Sequence, residues 1–73
     1  MVLFNDEVNS FDFVIEKLVE HCSHEAEQAE QCVLIAHHIG ECNVMVGSQV
    51  KVTEAGVKLG EEGLTVDIRK LVI

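Results

Sequence analysis

Residues 48–60, SQVKVTEAGVKLG, support two readings, and the choice between them decides the fold. After the break at Gly47-Ser48, Val50-Lys51-Val52-Thr53 alternates like the return arm of a hairpin. The same stretch sets Val52, Ala55, Gly56 and Leu59 at helical spacing, with Ser48 available as a cap. Gly56 and Gly60 would each weaken that helix by about 1 kcal/mol relative to alanine. Periodicity leaves the two readings level. A helix gives the order β-α-α-β-α-β; a hairpin gives a more sheet-rich domain.

Outward from this stretch the pattern is clearer. Val2, Leu3 and Phe4 are apolar and β-prone, and read as a short strand. Asn5 to Ser10 form a loop rich in turn and cap residues, where Asn9 or Ser10 can accept from the free N–H groups that open a helix. Phe11, Val14, Ile15, Leu18, Val19 and Cys22 then keep the rhythm of one helical face, and Asp12 suits the positive end of the dipole. A second helix is expected from Ser23 or His24, with Glu25 and Glu27 in its first turn. Its inner stripe is Ala26, Ala29, Val33 and Ala36, with His37 one step from Ala36 on the same face, and Gly40 stands where a left-handed cap belongs. Asn43 to Val46 read as a strand, and Leu64 to Ile68 alternate strictly, predicting a final one.

At 73 residues there is room for one domain, spanning 1–73. Such a chain buries only about 60% of the surface it exposes when unfolded, so its core is thin. Its 48% apolar content is that of a folded globule, and no apolar run reaches the length of a membrane span. The N-terminus lacks a secretory pattern, so a soluble, cytoplasmic protein is expected, with no membrane partner. Thirteen acidic residues against five basic ones give a net charge of −8. That balance argues against nucleic acid and favours cationic partners.

Three cysteines, Cys22, Cys32 and Cys42, point to reduced thiols rather than a disulfide framework. Four histidines include the run His21-Cys22-Ser23-His24, but no CxxC or HExxH spacing occurs, so no metal and no cofactor are expected. No nucleophile elbow or phosphate-cradling glycine loop is present, and a non-enzymatic role is expected. The polar run Asn5-Asp6-Glu7 interrupts the apolar start of the chain. It is either a solvated loop or a site for something cationic.

The stretches LFNDEVNSFDFVIEKL (3–18) and AEQCVLIAHHIG (29–40) resemble the ClpS adaptor family, which brings substrates of the bacterial N-end rule to a Clp ATPase–protease. The likeness covers nearly the whole chain. It implies a compact α+β domain of order βααβαβ, a three-stranded sheet packed against helices, in which residues 48–60 are a helix. The implied function is binding of the free N-terminal residue of N-degron peptides or proteins, with bulky Leu, Phe, Tyr or Trp preferred, and delivery to a Clp-family ATPase. By position, Asn5, Glu7 and His37 look like the residues that hold the α-amino group. Leu3, Asn9, Phe11, Val14, Val33 and Leu64 look like the surroundings of the side-chain pocket.

The chain also departs from that family. Glu7 stands where aspartate is usual, Val33 where a larger methionine often stands, and His38 where an aromatic is common. The N-terminal extension linked to delivery is expected to be essentially missing. A different class, the C-terminal domain of the ribosomal stalk protein, shares a similar element order. It would need a basic, factor-facing helix, which this acidic chain does not offer.

Overall fold

The computed structural model describes residues 1–68. Residues 69–73 of the predicted domain lie outside the described residues. The elements run β1 (Val2–Phe4), α1 (Phe11–Cys22), α2 (Ala26–Ile39), β2 (Glu41–Asn43), α3 (Gln49–Glu61) and β3 (Val66–Asp67). Residues 48–60 therefore take the helical reading. Ser48 is extended at φ −63°, ψ 148°, and its Oγ accepts the Lys51 N–H at 3.3 Å.

Burial explains why helix wins there. Val52, Ala55, Gly56 and Leu59 are buried on one stripe, while Val50 and Val57 face solvent. Burying a valine or leucine side chain is worth about 1.5–3 kcal/mol, so Val52 and Leu59 together offset the two glycines. Gly56 also has a packing reason. A Cβ there would lie 3.1 Å from Ile68 Cδ1 and 3.4 Å from Met1 Sδ, closer than side chains normally pack.

The sheet is antiparallel throughout, in the order β2-β1-β3. On one side β1 pairs Val2 with Asn43, Leu3 with Cys42 and Phe4 with Glu41. On the other it pairs Val2 with Asp67 and Leu3 with Val66. Leu3 joins Val14, Leu18, Val33, Val52 and Leu59 in a common core, and Leu18 and Leu59 are wholly enclosed. At its edge Lys17 lies 5.5 Å above the Phe13 ring and pairs with Glu20 at 3.2 Å and Glu62 at 3.6 Å, tying α1 to the end of α3. No helix among the described residues is long and apolar enough to cross a membrane.

Three boundaries differ from the sequence expectation. Helix α2 starts at Ala26, because Ser23 adopts the left-handed conformation (φ 57°) that ends α1. His24 is buried in that turn, and its Nε2 donates to the Val44 carbonyl, joining the α1–α2 turn to the segment after β2. The second strand is Glu41–Asn43 rather than 43–46, since β1 offers three residues and its pairing is complete at Asn43. The last strand is confined to Val66–Asp67, with Leu64 buried just before it. Gly40 caps α2 at φ 103°, its N–H reaching the Ala36 carbonyl.

The three thiols are free. Burial, and then the hydrogen bond and charge of Cys42 and the charge of Cys22, push the Cys32 thiol up to about 11. Burial also raises Cys22, against a smaller opposing effect of the N-terminal charge. Both groups keep their protons at higher pH when folded. Stability is therefore intact below the ordinary thiol value of 9.0 and declines as pH rises toward about 11. Thermal midpoints taken from about pH 8 to 11 should fall, and Cys32→Ala should flatten the fall. A second test probes residues 48–60. On one face of a strand Val50 and Val52 would respond alike. In α3, Val50→Asp should change stability by no more than about 0.5 kcal/mol, whereas Val52→Asp should unfold the domain in denaturant titrations.

Candidate functional site

Where β1 ends, the chain must cross from a buried strand to the start of α1, and residues 5–10 make that crossing. The Asn5 N–H donates to the Gly40 carbonyl at 3.0 Å, which seats the loop against the end of α2. Ser10 Oγ accepts the Phe13 N–H at 3.2 Å and opens α1. Between them Asp6 organises the turn: its Oδ1 accepts the N–H of Val8 at 3.0 Å and of Asn9 at 2.8 Å. The Asn9 amide Nδ2 donates both to Asp6 Oδ2 at 3.1 Å and to the Gly63 carbonyl at 3.0 Å.

These bonds divide the loop's polar groups in two. Asp6, Asn9 and Ser10 are engaged in building it. The side chains of Asn5 and Glu7 make no hydrogen bond or ion pair among the described residues, and both are exposed.

Beside the loop lies a small depression of about 20 Å³ that opens to solvent. Its apolar wall comes from Leu3 and Phe4 on β1, Phe11 and Val14 on α1, and Val33 and Ala36 on α2. Asn5, Asp6 and Asn9 supply the polar edge. Val14, Val33 and Ala36 are buried because they lie on the inner stripes where α1 and α2 meet.

Of the residues proposed for a side-chain pocket, Leu3, Asn9, Phe11, Val14 and Val33 line this depression. Leu64 does not. It is 5% exposed, belongs to the core, and its N–H bonds the Leu59 carbonyl at 3.0 Å. Asn5 lines the depression, whereas Glu7 and His37 stand outside its lining. His37 is exposed although Ala36 is buried, so the two do not share a face. Its ring meets Phe11 edge-on, with centroids 5.1 Å apart at 71°, and His38 lies 5.3 Å further along. Phe11 thus links the wall to the histidine.

Sequence reasoning missed Phe4, Asp6 and Ala36 as lining residues. Ala36 was accessible from spacing, one turn after Val33 on the same stripe. For Phe4 no signal existed, since a strand pattern does not say which end meets the helices. Among the described residues no group of three or more His, Cys, Asp or Glu is arranged to hold a metal ion.

Asp6 carries the loop's electrostatics. Partial burial works to raise its pKa, but the bonds from the Asn9 N–H, the Asn9 amide and the Val8 N–H together hold the carboxyl below its ordinary 3.8. A depressed carboxyl stabilises the fold above the unfolded value, and that contribution is lost as pH falls through the lower folded one. Carboxyl NMR titration should find Asp6 below 3.8, and Asn9→Ala should move it upward by removing one of those donors.

A search of curated proteins returned no match. A family model described as "ATP-dependent Clp protease adaptor protein ClpS" matches residues 1–66, which include the loop, the depression and helices α1, α2 and α3. The match sets aside the stalk-type alternative. On this evidence of sequence and fold together, the chain belongs to the ClpS family of Clp protease adaptors.

Proposed function

We propose that this adaptor binds the free N-terminal residue of N-degron substrates, a bulky hydrophobic one, and hands those substrates to a Clp-family ATPase for degradation. One observation carries the reading: an apolar depression adjoins a loop whose Asn5 and Glu7 side chains have no partner among the described residues.

The chemistry of an α-amino group suits that arrangement. A protonated amine has three donors and one positive charge, and needs three acceptors at roughly 2.8–3.0 Å, at least one of them anionic. The Asn5 amide oxygen, the Glu7 carboxylate and a neutral His37 ring nitrogen make up such a set. Glu7 adds the charge. An acetylated terminus loses the charge and most of its donors, leaving those acceptors unpaired, so blocked chains are rejected.

The first side chain enters the depression between Phe11, Val14, Val33 and Ala36. Burying a Leu or Phe there is worth about 1.5–3 kcal/mol. No reacting group is required, in keeping with an adaptor that binds and passes on its cargo.

Fluorescence anisotropy with labelled peptides beginning with Leu or Phe tests the reading. Free peptides should bind and N-acetylated ones should not; equal binding of both would falsify the amino-terminus site. Glu7→Gln, which removes only the charge, should weaken binding about tenfold or more. Asn5→Ala and His37→Ala should each do the same. Affinity should also peak near neutrality. Imidazole accepts only when neutral and the amine donates fully only when charged. A profile flat from about pH 5.5 to 9 would rule out this donor and acceptor set.

A further inference from the structure

We propose that Asn9 is a positioning residue, clamping the amine-binding loop to the connection between α3 and β3; the proposal rests on the binding reading above. Residues 6–9 would otherwise have little to hold them. Asn5 is fixed by its N–H on Gly40, and Ser10 by capping α1. Between these points Asp6 bonds only Val8 and Asn9, which are contacts within the loop. Glu7 and Val8 are exposed, Val8 at 92%. Among the described residues, the one hydrogen bond that ties residues 6–9 to a distant part of the chain is Asn9 Nδ2 to the Gly63 carbonyl, at 3.0 Å across 54 positions.

The anchor itself is firm. Gly63 takes a left-handed φ of 89°, and its N–H donates to the Gly60 carbonyl at 3.0 Å. Its neighbour Leu64 is buried in the core. Two residues on, the Thr65 carbonyl accepts the Phe4 N–H at 2.9 Å, so the same connection holds β1 where the loop departs. The α3–β3 connection therefore supports the loop at both of its sides.

The task needs an amide. Asn9 sends two N–H donors from one atom to two acceptors, Asp6 Oδ2 and the Gly63 carbonyl. An aspartate of the same shape would set acceptor against acceptor at both contacts. Loss of the clamp frees Glu7, two positions away, to leave the geometry that a three-point amine site needs.

The test compares wild type, Asn9→Asp, Asn9→Ala and the exchange Asp6→Asn with Asn9→Asp. Anisotropy is read with a labelled peptide beginning with Leu, free and N-acetylated, and thermal midpoints are recorded alongside. Asn9→Asp adds a negative charge beside a cation site, which alone would tighten binding. The clamp requires the opposite: about tenfold weaker binding of the free peptide for both single variants.

The Asn9–Gly63 bond is solvent-exposed, so midpoints should move by no more than about 4 °C. A purely structural role would lower affinity and midpoint together, and that result overturns the proposal. The exchange rebuilds the contact within the loop at unchanged net charge but leaves a carboxylate against the Gly63 carbonyl. It should stay well below wild type, and full recovery would overturn the anchor. If Asn9→Asp fails to fold, Asn9→Ala supplies the same reading. Single variants that bind like a discriminating wild type overturn the clamp alone. A wild type that binds free and acetylated peptides equally overturns the function on which it rests.

Discussion

Everything in this domain is arranged around a central strand only three residues long. Val2, Leu3 and Phe4 are hydrogen-bonded to β2 on one side and adjoin β3 on the other, while Leu3 faces the core under the helices. A strand so short has no room to slip, because a shift of one residue would turn Leu3 to the opposite face. Its end is therefore fixed in space. The chain leaves it at Phe4, between the end of α2, reached by Asn5, and the α3–β3 connection, reached by Phe4 itself. The loop occupies the place where these three parts of the chain meet.

That position accounts for how the loop's polar residues are used. A loop beside a core must satisfy its backbone groups without burying bare donors. Asp6 accepts two backbone N–H groups, Asn9 joins Asp6 to Gly63, and Ser10 caps a helix. Asn5 and Glu7, on either side of Asp6, keep their side chains available. An acidic, partly unpaired edge next to an apolar hollow is suited to a guest that is cationic at one end and greasy at the other. The guest proposed above, the free N-terminus of a peptide with a large first residue, has that character.

Much of this was legible in the sequence. The α1 stripe appears as expected in Val14, Leu18 and Cys22, and the caps at Ser10, Ser48 and Gly40 stand where turn chemistry placed them. The βααβαβ order followed from resemblance to ClpS and agrees with the architecture. Leu64, read as pocket wall, is buried in the core outside the lining of the depression. Strand alternation gives the face on which a residue lies, but not which cavity that face adjoins. Phe11 and Val19 belong to the apolar stripe of α1 by spacing, yet both stay substantially exposed.

Local chemistry, read from the sequence by itself, determined α1 and α2, the caps at Ser10 and Gly40, and a run of polar residues that had to be either solvated or functional. Two things belonged to tertiary structure. The first was the helical choice for residues 48–60, where the alternation of Val50 and Val52 competed with a stripe whose burial could be realised only against the rest of the core. The second was the division between polar groups that build the loop and those left available. Asn5, Asp6, Glu7 and Asn9 are alike in the sequence as polar turn residues. They separate only in the folded loop, where Asp6 accepts the Val8 and Asn9 N–H groups and the Asn9 amide reaches the Gly63 carbonyl far along the chain.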